Sequence, residues 1–280
     1  MKWRGRRGSR NIEDRRGASG ARAGGIGGVG VIAVLLIGYF FGIDVSPLLQ
    51  DPGTQTPVAT ELTEADREAG EFVSVTLADT EEVWAQLFRS QLGREYRPAT
   101  LVLFKGVTQS PCGGASGATG PFYCPADRKA YLDTNFFTVL ENQLGASGDF
   151  AAAYVIAHEI AHHVQNELGI LGQANTLRQR SSQADSNAIS VRVELQADCL
   201  SGVWARTAAQ KFGTIDRSDF EEAVNAARRI GDDTLQEAAG RRPMPHTFTH
   251  GTAEQRSGWF VIGLQSGQIE ACDTFSTDDL

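Results

Sequence analysis

The stretch 149–165, DFAAAYVIAHEIAHHVQ, sets two histidines four residues apart, with a glutamate directly after the first, inside a run of strong helix formers. Positions four apart share one face of a helix, so His158 and His162 present their imidazoles together, as two ligands of one zinc ion must. Glu159, one residue on, reaches a water held by that ion and can serve as its general base. With 5 His and 17 Glu in 280 residues, random placement yields the spacing only about 0.005 times. A helix whose histidines are merely packed is the bland alternative, and it leaves Glu159 without a role. Asp149 suits the N-cap of this helix and Gly169 its end.

Two histidines leave the ion short, because a catalytic zinc takes three protein ligands and keeps one position open. Glu194, in the helical stretch VELQADC, is the candidate third ligand. Asp198 lies four residues further on the same face and is placed to orient a ligand histidine through its free ring nitrogen. His163 points about 100° away from His162 around the helix and reads as a supporting or exposed residue.

HEIAHHVQ followed by ELQAD resembles the gluzincin metallopeptidases. More closely, GPFYCPADRKAYLDTNFF, AYVIAHEIAHHVQ, ELQADCLSGVWA and FTHGTAEQRSGWFVIG, in that order, resemble the bacterial neutral zinc metallopeptidases. The resemblance covers residues 63–275 and the basic, apolar N-terminus. It implies one Zn2+ on His158, His162 and Glu194, Glu159 as base, and Asp198 behind a histidine. The expected fold is α+β, a mainly helical zincin-like domain with a small sheet, preceded by one transmembrane helix. The expected function is hydrolysis of peptide bonds in a peptide or protein substrate. The alternative is a non-catalytic, zinc-stabilised extracytoplasmic binding domain, which needs the ligands but has no use for Glu159. A transition state with oxyanion character also calls for a donor beside the metal. His250 is the leading candidate, with Arg256, Tyr154 and His246 behind it.

The membrane reading comes from residues 1–43. Residues 1–23 carry eight basic and two acidic side chains, and Gly24 to Ile43 is an uncharged apolar run. Twenty helical residues span about 30 Å, the hydrocarbon thickness of a bilayer. The run is longer than the apolar part of a cleaved signal peptide. The expectation is a basic cytoplasmic tail (1–23), a single-pass anchor (24–43), a Pro- and Thr-containing linker (44–62) and an extracytoplasmic zinc metallopeptidase domain (63–280). Subtracting the +6 of the tail from the whole-chain charge of −8 leaves −14 for the remainder, which excludes a basic nucleic-acid-binding domain.

Four cysteines allow three connectivities. Local pairing of Cys112 with Cys124 is the most economical and leaves Cys199 with Cys272; no C-x-x-C pair points to metal instead. Along the domain the pattern predicts a helix from Thr63 with a break near Ala78–Asp79, a strand at 99–104, a loop at 106–121, short strands at 122–124 and 130–133, and helices to about residue 240.

Overall fold

A computed structural model of the chain describes residues 1–17, 61–116 and 120–280. The apolar run 24–43 and nearly all of the linker lie outside these residues. Among the described residues no helix is long and apolar enough to cross a membrane.

Thr63 opens helix α1 (Glu64–Leu87) with a capping box: its hydroxyl accepts from the Asp66 N–H while the Asp66 carboxylate accepts from the Thr63 N–H. Phe72, Val73, Leu77, Val83 and Trp84 then face the core. The break expected near Asp79 is absent. Asp79 is buried within the helix because Arg6 grips its carboxylate with two N–H groups, at 2.6 and 2.7 Å. A carboxylate in an apolar run suggests a helix end only while its distant partner is unseen.

Strands β1 (Ile12–Asp14), β2 (Thr100–Phe104), β5 (Phe122–Cys124) and β6 (Lys129–Asp133) form one sheet in the order β1-β2-β6-β5. The first three strands in that order run parallel and β5 pairs antiparallel with β6. Strands β3 (Val107–Ser110) and β4 (Gly113–Ser116) make a separate antiparallel hairpin where a loop was expected. Val107 is the one bulky apolar side chain in VTQS, so no alternation marked the strand. Leu101 and Leu103 on one face of β2 join the main core, while Val102 and Phe104 on the other pack with Cys124 and Tyr131.

Helices follow: α2 (Asn135–Asn142), α3 (Asp149–Glu167), α4 (Ile170–Arg178), α5 (Gln183–Phe212), α6 (Arg217–Arg229), α7 (Asp232–Ala238) and α8 (Ala253–Ser266). This is the mainly helical α+β architecture expected. Helix α3 is buried almost throughout, and its alanines at 151–153, 157 and 161 present little bulk to its neighbours. Helices α5 and α8 meet backbone to backbone. A Cβ on Gly263 would lie 1.8 Å from the Cys199 carbonyl oxygen, and one on Gly202 2.0 Å from that of Phe260. Both expected disulfides are present, Cys112–Cys124 and Cys199–Cys272. The second ties the segment after α8 to the middle of α5.

Residues 1–17 are not a separate tail, contrary to the boundary expected at residue 23. Trp3 is 3% exposed within the main core, its ring edge-on to Phe72. Strand β1 pairs Ile12, Glu13 and Asp14 with Leu101, Val102 and Leu103. The basic side chains that suggested a topology signal are largely paired: Arg4 with Glu68, Arg6 with Asp79, Arg7 with Glu82, Arg15 with Glu13 and Arg16 with Asp14.

Candidate metal centre

Helices α3 and α5 bring the centre together. His158, His162 and Glu194 each offer one ligand atom, and the three atoms lie within 4.8 Å of one another. The Nε2 of His158 is 3.0 Å from Glu194 Oε2 and the Nε2 of His162 is 3.4 Å from Glu194 Oε1, with the two rings nearly perpendicular. Both Nε2 atoms therefore converge on one carboxylate. The far nitrogens are occupied: Asp198 Oδ1 lies 2.8 Å from His158 Nδ1, and Gln165 Oε1 lies 2.8 Å from His162 Nδ1. An acceptor at Nδ1 fixes the ring so that Nε2 carries the lone pair a metal needs.

Asp198 is itself held on all sides. Its Oδ1 accepts from the Tyr154 hydroxyl at 2.5 Å and Arg256 Nη2 at 3.1 Å; its Oδ2 accepts from Arg256 Nε at 2.9 Å. Asp198 and Arg256 are both buried, so this is an ion pair inside the core. Tyr154 and Arg256, considered as donors to substrate, are committed to Asp198 instead. His163 is buried, its Nδ1 3.0 Å from the Tyr123 hydroxyl and its Nε2 2.7 Å from the Arg97 carbonyl. It fastens α3 to the sheet and takes no part in the centre. His246 is exposed and offers its backbone carbonyl to Asn187.

His250 stands at the edge of the centre, its side chain 46% exposed. The N–H groups of Thr249, His250 and Gly251 all donate to Asp232 Oδ2, and His250 Nδ1 lies 3.1 Å from Asp232 Oδ1. Burial opposes a charge on this ring, but Asp232 and the nearby Glu194 outweigh it and raise its pKa.

The electrostatics favour positive charge where the two Nε2 atoms meet. Burial works against a charged His158, yet Asp198 and Glu194 on either side hold its pKa up to about 10. Burial also opposes ionisation of Glu194, but His162 and His158 pull its carboxyl well below the usual range. Asp198 is buried too and is kept ionised chiefly by Arg256, then His158. For Glu159 burial is the largest influence and pushes the carboxyl up. Its Oε2 is buried without a hydrogen-bond partner among the described residues. An orphaned oxygen of this kind calls for a bound water or ion. The residues thus fit a zinc ion: two imidazole nitrogens and one carboxylate converge, and an unsatisfied base stands beside them.

Sequence reasoning missed two supporting residues. Gln165 sits three positions after His162 on the same face, a spacing that could have revealed it. Asp232 lies 18 residues before its partner His250, and no local pattern joins them.

A histidine pair on one helix with a glutamate from a second is the donor set that zinc metallopeptidases with an H-E-x-x-H motif use. Residues 1–275 match the family described as "Putative neutral zinc metallopeptidase", and the chain belongs to that family. It is 43% identical over 285 residues to Uncharacterized protein YpfJ of Escherichia coli strain K12, covering 98% of this chain and 99% of that one. It is 42% identical over 227 residues to Uncharacterized protein Rv2575 of Mycobacterium tuberculosis H37Rv and to Uncharacterized protein Mb2605 of Mycobacterium bovis, covering 76% of this chain and 74% of each. No solved structure matches.

Proposed function

We propose that this protein is a zinc-dependent peptidase that cleaves peptide bonds with a water activated by Glu159, and that residues 24–43 hold it at a membrane. The observation that carries the catalytic reading is the buried, unpartnered Oε2 of Glu159 beside His158, His162 and Glu194. A purely structural zinc site needs its ligands but gains nothing from leaving a carboxylate oxygen unsatisfied.

Zinc held by these three side chains would supply Lewis acidity to the attacking water and to the scissile carbonyl. Glu159 takes the proton of the attacking water and returns it to the leaving amine. Burial raises the proton affinity of this carboxyl, which brings it closer to the operating range of a general base. His250, with Nδ1 engaged by Asp232, keeps Nε2 for the oxyanion that forms as the carbonyl is attacked. Asp198 and Gln165 hold the two ligand rings in their binding orientation throughout.

The test is metal analysis and cleavage of a diverse peptide mixture by the full chain, wild type against Glu159→Gln. Stoichiometric zinc in both and cleavage by the wild type alone are expected. Zinc in both and cleavage by neither would leave only a zinc-stabilised binding domain.

A further inference from the structure

The chain leaves the folded domain and re-enters it at one corner. Arg16 donates from Nη1 to the backbone carbonyl of Asp66, and its guanidinium lies against Gly70. Lys105, just beyond β2, pairs with the Asp66 carboxylate at 2.8 Å. Arg16 stands just before residues 18–60, and Asp66 shortly after them. The two flanks of that 43-residue stretch, which contains the apolar run, are therefore in contact.

The segment before Arg16 is tied to the domain at several points along its length. The Trp3 indole N–H donates to Asp149 Oδ2 at 2.9 Å, at the first residue of the helix that carries His158 and His162. Arg6 completes the buried Asp79, Lys129 on β6 reaches Glu13 Oε2 at 2.6 Å, and the Met1 amino group pairs with the buried Asp219 at 2.5 Å. These contacts reach α1, α3, α6 and the sheet, so β1 and Trp3 are parts of the core and not a strap laid over it.

We infer that residues 1–17 and the domain from residue 61 onward form one folded unit, so that both flanks of the intervening stretch lie on a single side of the bilayer. A single crossing by that run would place β1 and Trp3 across the membrane from the strand and core they complete. A return crossing is closed to residues 44–60, DVSPLLQDPGTQTPVAT, which carry two aspartates and three prolines and hold no apolar stretch of spanning length. The arginine-rich start then acts as docking charge for the acidic face of α1, where Glu68, Asp79 and Glu82 receive it. The inference shares with the proposed anchoring the premise that 24–43 enters lipid; its one-sidedness rests on the contacts alone.

Two exposed positions test it in the full-length chain, Arg10→Cys in the N-terminal segment and Arg89→Cys on the domain, with the disulfide-bonded wild type as blank. Spheroplasts are treated with a membrane-impermeant maleimide before and after lysis. The expected result is the same before-to-after labelling ratio at both positions, within about twofold. A ratio differing tenfold or more between them, one position open and the other shielded, would overturn the inference. Zero-length carbodiimide coupling of washed membranes supplies a second readout: an isopeptide between Lys129 and Glu13 is expected in the peptide map, and its absence would count against docking. Carbonate washing separates the premises, since release of the protein would remove the bilayer as partner whatever the labelling ratio.

Discussion

The amide oxygen of Gln165 lies 2.8 Å from Nδ1 of His162, while its amide nitrogen donates to the Val193 carbonyl at 2.8 Å and to Gln196 Oε1 at 3.0 Å. One neutral side chain therefore links His162, a candidate ligand on α3, to the residue that precedes the candidate ligand Glu194 on α5. Its orientation is unambiguous, because the nitrogen faces two oxygens and the other end must accept.

Replacing Gln165 with Leu removes the acceptor and frees the His162 ring to rotate. Zinc affinity should fall by about 10- to 100-fold, the usual cost of losing such a partner. Gln165→Glu keeps an acceptor at Nδ1 and should bind zinc more tightly than Gln165→Leu. Competition against a chromogenic chelator measures both, and an unchanged affinity in the leucine variant would show that His162 is oriented by other means.

On the proposed role of His250, the rate should be sensitive to pH in a direction set by Asp232. The Asp232 carboxylate raises the His250 pKa, so the protonated, donating form persists to higher pH than for a free imidazole. If His250 donates as a cation, activity is retained below its pKa and lost as pH rises through it. Asp232→Asn removes the charge, lowers that pKa and should move the alkaline limb of kcat/KM toward acid. His250→Gln should abolish the limb while leaving zinc content intact. A limb that stays in place in Asp232→Asn would assign it to another group.

What could be read from the sequence divides along physical lines. His158 and His162 were legible because helical spacing puts them on one face, and Glu159 because it directly follows the first of them; Glu194 and Asp198 share a face but needed the family resemblance as well, and both disulfides followed from the separations of four cysteines. Arg256 was visible as a residue of interest but not its role, since its partner Asp198 lies 58 positions away on another helix. The contacts of the N-terminal segment were hidden for a related reason. A dense run of arginines before an apolar stretch is the pattern of a topology signal, and only the fold reveals that Arg6 completes a buried aspartate in α1. The β3–β4 hairpin left no trace because β3 buries little and β4 opens on two glycines. Periodicity encodes faces, whereas contacts between distant elements carry no local mark.

Arg256 and Asp198 form an ion pair in the core, and removing one partner should cost more than removing both. Arg256→Leu leaves the Asp198 carboxylate, buried and facing His158, without its cation, a loss of about 3–5 kcal/mol. The double variant Arg256→Leu/Asp198→Asn should recover part of that stability, yet bind zinc more weakly than wild type because the neutral amide supports His158 less well. Urea unfolding of the four proteins in this cycle gives the coupling directly. Additive losses in the two single variants would show that the pair is not energetically linked.

The Cys199–Cys272 bridge joins residues 73 apart in sequence. Closing a loop of that length restricts the unfolded chain enough to stabilise the fold by about 4 kcal/mol on the chain-entropy account. Its effect should extend to the centre, because Gln196 Nε2 donates to the Cys272 carbonyl at 2.9 Å and Gln196 Oε1 receives the amide of Gln165. Without the bridge the segment after α8 is held by contacts alone, and the polar chain from Cys272 through Gln196 and Gln165 to His162 loses its anchor. The Cys199→Ala/Cys272→Ala variant should therefore unfold at lower urea concentration and bind zinc less tightly, while Cys112→Ala/Cys124→Ala, whose bridge spans 12 positions, should lose less stability and leave zinc affinity near wild type. Equal zinc affinities in the two variants would show that the chain through Gln196 does not reach the metal centre.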